Sequence, residues 1–129
     1  MPDPYTLKKL TDVDDSAPSF GIGEFQEARF AHGDLQAERT GVAHLRVKPG
    51  KRQAFAHRHE QAEEIYVVLA GSGRVKLDDD IVELEPLDAL RVAPAVTRQF
   101  EGGPEGMEFL VFGQWHKGDG EVIYDWWTD

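Results

Sequence analysis

The chain has 129 residues, with 24 acidic against 14 basic side chains for a formal net charge of −10, and is 40% hydrophobic and 29% charged. That length fits one domain able to bury a core, and the acidic balance argues against a nucleic-acid or anionic-membrane partner, since phosphate contacts need a basic surface. With no cysteine, disulfides, thiol nucleophiles and thiolate metal ligands are excluded.

The opening "MPDPYTLKKL" lacks the apolar core of a secretory signal. Apolar runs such as "IYVVLA" are far too short to span a bilayer. The expectation is a soluble, cytoplasmic protein. Residues 1–39 read as an N-terminal arm with an edge strand, punctuated by Pro2, Pro4 and Pro18. Within it, "GEFQEARFA" fits neither the helical nor the strand period.

From Thr40 the pattern changes. "TGVAHLRV" alternates up to the Pro49-Gly50 turn, and "QAFAHRH" alternates after it. "EIYVVLA" reads as a strand ending at Gly71-Ser72-Gly73, and "RVKLD" as the next, ending at Asp78-Asp79-Asp80. "IVELE", "DALRVA", "VTRQFE" and "MEFLVFG" follow, separated by Pro86, Pro94 and Gly102-Gly103. Short strands at regular spacing predict an all-β sandwich or barrel over residues 40–112. Residues 113–129 form an aromatic tail, all within one domain. In "EIYVVLA" both faces are apolar, so one face lines an interior and the other meets a second sheet or subunit.

The chemistry concentrates at "HRHEQAEE". On a strand, residues i and i+2 point the same way, so His57 and His59 project together, with Cα atoms roughly 6.5–7 Å apart. Two imidazoles at that spacing converge on one ion, and on a helix they would diverge. A carboxylate from the next strand would complete a two-histidine, one-carboxylate set that suits iron, zinc, manganese, nickel or copper. Glu60, Glu63 and Glu64 are all in reach, and Glu64 is favoured because it opens the neighbouring strand. Spacing alone equally admits a solvated pair of histidines.

The pattern G-x6-H-x-H-x4-E-x6-G, from Gly50 through His57, His59 and Glu64 to Gly71, resembles the first motif of the cupins. The segment "LEPLDALRVAPAVTRQFEGG" resembles their second motif. The resemblance implies a double-stranded β-helix, the jelly-roll barrel, with metal ligands His57, His59 and Glu64 facing its interior. Two departures stand out. Leu87 replaces the turn glycine of the second motif, and Arg98 stands where the family usually has a fourth ligand, a histidine. A guanidinium has no lone pair to offer a metal. Either the ion sits on three protein ligands while Arg98 clamps an anionic substrate, or Arg98 pairs with Glu64 and the pocket holds no metal, or Arg98 faces outward and takes no part in the site. His44 is a candidate replacement ligand, against the plainer reading of a hydrogen-bonded histidine.

Phe55, Tyr66 and Phe100 are expected inside, as core or as substrate-binding residues beside Arg98. Arg46 and Arg91 are expected to reach the surface. Trp115, Trp126 and Trp127 read as a cover over the barrel or as a homodimer contact. His32 and His116 receive no role, and Asp78 to Asp80 read as a hairpin turn, since they lack the spaced ligands of a calcium loop. The functional expectation is a metal-dependent enzyme of dioxygenase, isomerase or decarboxylase type. It would use a divalent transition metal (Fe, Mn, Ni or Zn) on a small anionic ligand. The alternative is a non-catalytic small-molecule-binding or sensor protein.

Overall fold

A computed structural model describes residues 2–129. Met1, the first residue of the expected arm, lies outside the described residues. Eight strands form the fold: β1 (Gln26–Phe30), β2 (Val42–Val47), β3 (Ala56–His59), β4 (Glu64–Leu77), β5 (Asp80–Leu84), β6 (Ala89–Val92), β7 (Arg98–Gly113) and β8 (Gly120–Ile123). Every pairing is antiparallel. Among the described residues, no helix is long and apolar enough to cross a membrane.

Strands β4 and β7 organise the molecule because each belongs to two sheets. The first half of β4 and the second half of β7 lie in a sheet ordered β1-β2-β7-β4-β6. Their other halves lie in a sheet ordered β5-β4-β7-β3-β8. The two sheets face each other as a jelly roll. The sequence pattern predicts a break in both long strands at their glycines, but each strand runs through them. The β4–β7 register shifts between Val68 and Ala70 and again between Gly71 and Gly73. Gly71 adopts φ +75°, and a Cβ there would lie 2.0 Å from the Gly106 carbonyl oxygen. At Gly73 a Cβ would lie 2.1 Å from the Glu101 oxygen. The glycines therefore let two strands turn a corner in close contact without ending either of them.

Inward-facing residues of both sheets make the core. Val47, Val68, Val75, Phe100, Met107 and Phe109 are essentially inaccessible. The rings of Phe100 and Phe109 stack at 4.7 Å, and Tyr66 lies 4.7 Å from Phe100. The alternation expected for "EIYVVLA" holds: Tyr66 and Val68 are buried, while Ile65 and Leu69 are 42% and 41% exposed on the outer face. Asp78 and Asp79 form the β4–β5 turn, where Asp78 accepts a hydrogen bond from the Thr97 amide at 3.0 Å.

Two segments without a clear period turn out to be strands. "QEARF" pairs with β2 as an edge. In the tail, Gly120–Ile123 adds to β3 beyond the histidines. The tail then doubles back over the barrel. Trp127 is buried beneath Arg52, whose guanidinium lies 4.1 Å above its ring and donates to its carbonyl.

Candidate metal centre

Strand β3 carries His57 and His59 on one face, and Arg58 points away to Glu121 at 2.8 Å. Glu64 opens β4 and reaches the same point. One ligand atom from each of His57, His59 and Glu64 lies within 4.8 Å of the other two. The Nε2 atoms of both histidines stand 3.4 Å from Glu64 Oε1, and the two rings are 5.1 Å apart and nearly perpendicular. Of the three glutamates near the pair, only Glu64 joins this cluster. Glu63 pairs outside with Arg91.

Electrostatics favour ligation. Burial holds the His57 pKa below its ordinary value, with Arg98 adding to the effect against the hydrogen bond to Glu64, so this imidazole is neutral at neutral pH. Burial by itself would raise the Glu64 pKa, but the hydrogen bonds from His57 and Tyr66 and the nearby His59 ring outweigh it and hold the carboxylate well below the usual range. His59 is set by a residue the sequence reading passed over. Asp119 accepts from its Nδ1 at 3.2 Å and from the amides of Glu60, Gln61 and Ala62 at 3.0, 2.7 and 3.0 Å. Because an ionised carboxylate only accepts, Nδ1 of His59 carries a proton, which leaves Nε2 as its nitrogen towards the cluster. That nitrogen is buried and without a hydrogen bond. A carboxylate behind a histidine in this way is how metal-binding imidazoles are commonly oriented. The donor set therefore fits a divalent transition ion.

Arg98 lies behind this face. It is the cross-strand partner of His57 and has no solvent exposure. Its Nη2 donates to Glu64 Oε1 at 2.7 Å and its Nε to the Tyr66 hydroxyl at 3.2 Å. Nη1 donates to the carbonyls of Val96 and Pro94 at 2.7 and 3.1 Å. The Tyr66 hydroxyl in turn donates to Glu64 at 2.6 Å. The role of substrate clamp does not fit this placement, because the guanidinium is occluded and already bonded on every nitrogen. Of the four residues expected to meet substrate, Phe55 and Tyr66 line the cavity above the donors, while Arg98 and Phe100 lie behind its wall.

His44 turns outward and bonds Glu108 at 2.6 Å, which is the plainer of its two readings. His32 and His116, left without a role, both line the cavity, as does Trp115, whose ring stacks on His32 at 5.4 Å. Thus Trp127 covers the barrel while Trp115 stands exposed at the cavity.

The family described as "Cupin domain" matches residues 43–113, more than half of the chain. The chain belongs to the cupin family. Solved structures agree on the fold. A cupin protein from Bacteroides fragilis is similar over 98% of both chains, at 23% identity and a TM-score of 0.71. The polyketide cyclase RemF from Streptomyces resistomycificus matches over 96% of this cupin and 87% of its own chain, at 21% identity and TM-score 0.75. Oxalate decarboxylase from Bacillus subtilis matches over 98% of this chain at 20% identity and TM-score 0.77, and the cupin spans about a third (33%) of that longer enzyme. No curated protein sequence matches this one.

Proposed function

We propose that this cupin is a metal-dependent enzyme acting on a small molecule held in the cavity above His57, His59 and Glu64. The observation that carries the reading is the convergence of three donors at a cavity, with the bare nitrogen of His59 fixed towards them by Asp119. Iron, manganese, nickel or zinc each suits two imidazoles and a carboxylate. When bound, such an ion supplies Lewis-acid polarisation or oxygen activation. The protein's own groups set the conditions. Asp119 orients the His59 ring, and Arg98 and Tyr66 hold Glu64 ionised and in place. Dioxygenation, isomerisation and decarboxylation are the reaction types this arrangement supports, and similar folds include a decarboxylase and a cyclase. With Arg98 wholly engaged, an anionic substrate would be recognised by the ion itself. A homodimer across the outer face of β4 and β7, where Ile65, Leu69 and Phe112 are exposed, belongs to the same reading and is checked by sedimentation equilibrium.

One observation favours a second reading, a metal-free binding protein: the Arg98–Glu64 pair at 2.7 Å already neutralises the carboxylate. Elemental analysis of protein purified without a metal-affinity tag separates the two. Stoichiometric transition metal that disappears in His57→Ala supports the enzyme reading. Failure to load any of the four metals supports the second.

A further inference from the structure

The cavity has a volume of about 790 Å³, within the size range of sites for drug-sized ligands. Among the described residues, its wall offers no lysine or arginine to meet an anion. Three acids reach it, and each is paired within the protein: Glu64 with Arg98 at 2.7 Å, Asp119 with His59 at 3.2 Å, and Glu121 with Arg58 at 2.8 Å. The net charge of −10 further opposes the entry of anions.

The mouth is aromatic. Phe20, Phe30, Trp115 and Tyr124 all line the cavity, yet they are 73%, 54%, 61% and 70% exposed. Large apolar side chains clustered in the open around one concavity mark a recognition surface. Inside, one polar group stands out. Gln26 shares the inner face of β1 with Ala28, is 6% exposed and lines the cavity. Its side-chain amide makes no hydrogen bond with a described residue. Open on the cavity with no partner among those residues, the amide can donate to or accept from an oxygen of a ligand there.

We propose that the cavity takes a neutral, ring-containing molecule whose hydroxyl or carbonyl oxygen meets Gln26 while its ring packs on the aromatic side chains of the mouth. A carboxylate or phosphate ester finds no lysine or arginine in the wall. The inference rests on the reading above for the location of its site, and its test is arranged so that either can fail alone.

Calorimetry on the full chain, metal-free and zinc-loaded, would compare 2-naphthol, 2-naphthoate and oxalate near neutral pH. The naphthol is expected to bind the metal-free form about 10-fold more tightly than the naphthoate, which must be desolvated without a partner, and oxalate is expected not to bind that form. Gln26→Leu should weaken naphthol binding about 5-fold, the value of one hydrogen bond. Phe30→Ala, at the exposed mouth, should weaken it with no loss of thermal stability and so guards against a folding defect in the Gln26 variant. Val122→Lys, on the same wall, should improve naphthoate binding.

Naphthoate or oxalate binding the metal-free protein as tightly as naphthol would overturn the proposal. So would tighter binding of the 2-naphthyltrimethylammonium cation, or failure of naphthol to bind either form. If zinc does not load while naphthol binds, the metal reading falls and this inference stands. If zinc loads and naphthol does not bind, the outcome is reversed.

Discussion

His57 on β3 and Arg98 on β7 are cross-strand neighbours, yet they bring opposite chemistry to one place. The β3 side offers imidazole nitrogens: burial holds the His57 pKa low, and His59 has a bare Nε2. The β7 side offers a permanent cation with no solvent contact. Glu64 lies between them, and its Oε1 serves both, at 2.7 Å from Arg98 and 3.4 Å from each imidazole. The contrast shows that the carboxylate is shared. It anchors a buried guanidinium and is also the anionic member of the donor cluster, so on the metal reading its charge would be divided between a structural and a ligating task.

The largest expected effect comes from removing that shared charge. Glu64→Gln should abolish stoichiometric metal binding and also leave Arg98 buried without its counter-ion. Breaking a buried pair from one side costs about 3–5 kcal/mol, so urea unfolding should show a loss of that order. Metal loss without destabilisation would mean that Arg98 draws its support from the backbone carbonyls instead.

Next in size is the support behind β3. Asp119→Asn is nearly isosteric but brings an NH2 group that must face either the His59 Nδ1–H or the amides of residues 60–62. The ring then favours the other tautomer and places a proton on the ligating nitrogen. Metal affinity should fall about 10–100-fold, measured by competition with a chelator, while Glu64 and Arg98 stay paired. An unchanged affinity would remove Asp119 from the site.

A smaller effect in the opposite direction is expected on the β7 side. Arg98→His exchanges the cation for a possible fourth ligand and frees Glu64. Metal affinity should rise about 10-fold, equivalent to roughly 1.4 kcal/mol, even as thermal stability falls with the lost hydrogen bonds. No gain in affinity would mean that an imidazole at position 98 cannot turn to the donors.

The β3 side was the more legible in sequence, and the reason is local. His57, His59 and Glu64 fall within eight residues, and strand alternation suffices to bring them together. Asp119 is 60 residues beyond His59. Its only local signal is "GDG", a polar turn in a tail without a period, and its role appears only once β8 pairs with β3 and sets Gly120 opposite His59. The continuity of β4 and β7 was hidden for a related reason. Glycines that end a strand and glycines that bend one look alike until the close approach of Gly71 to Gly106 is known. An inward Arg98 was legible, but its complete engagement was not, because three of its acceptors are backbone carbonyls.

Leu87 tests whether stability can be changed without touching either side of the site. The sequence marks it as a departure from the turn glycine of the second motif, and the structure gives it φ +71°. Its amide donates to the Val68 carbonyl at 2.8 Å, and Asp88 accepts from the Glu85 amide at 2.9 Å, so the turn is held by bonds that do not use the leucine side chain. That side chain is 81% exposed and gives up little packing when removed. A left-handed leucine costs about 1–2 kcal/mol, and the greater freedom of glycine in the unfolded chain returns about 0.5–1 kcal/mol of that. Leu87→Gly should therefore stabilise the protein by about 0.5–1 kcal/mol, a rise of about 2–4 °C in Tm, with metal affinity unchanged. A fall in Tm would mean that the leucine makes a contact in solution, on the exposed side of the turn, that outweighs its backbone strain.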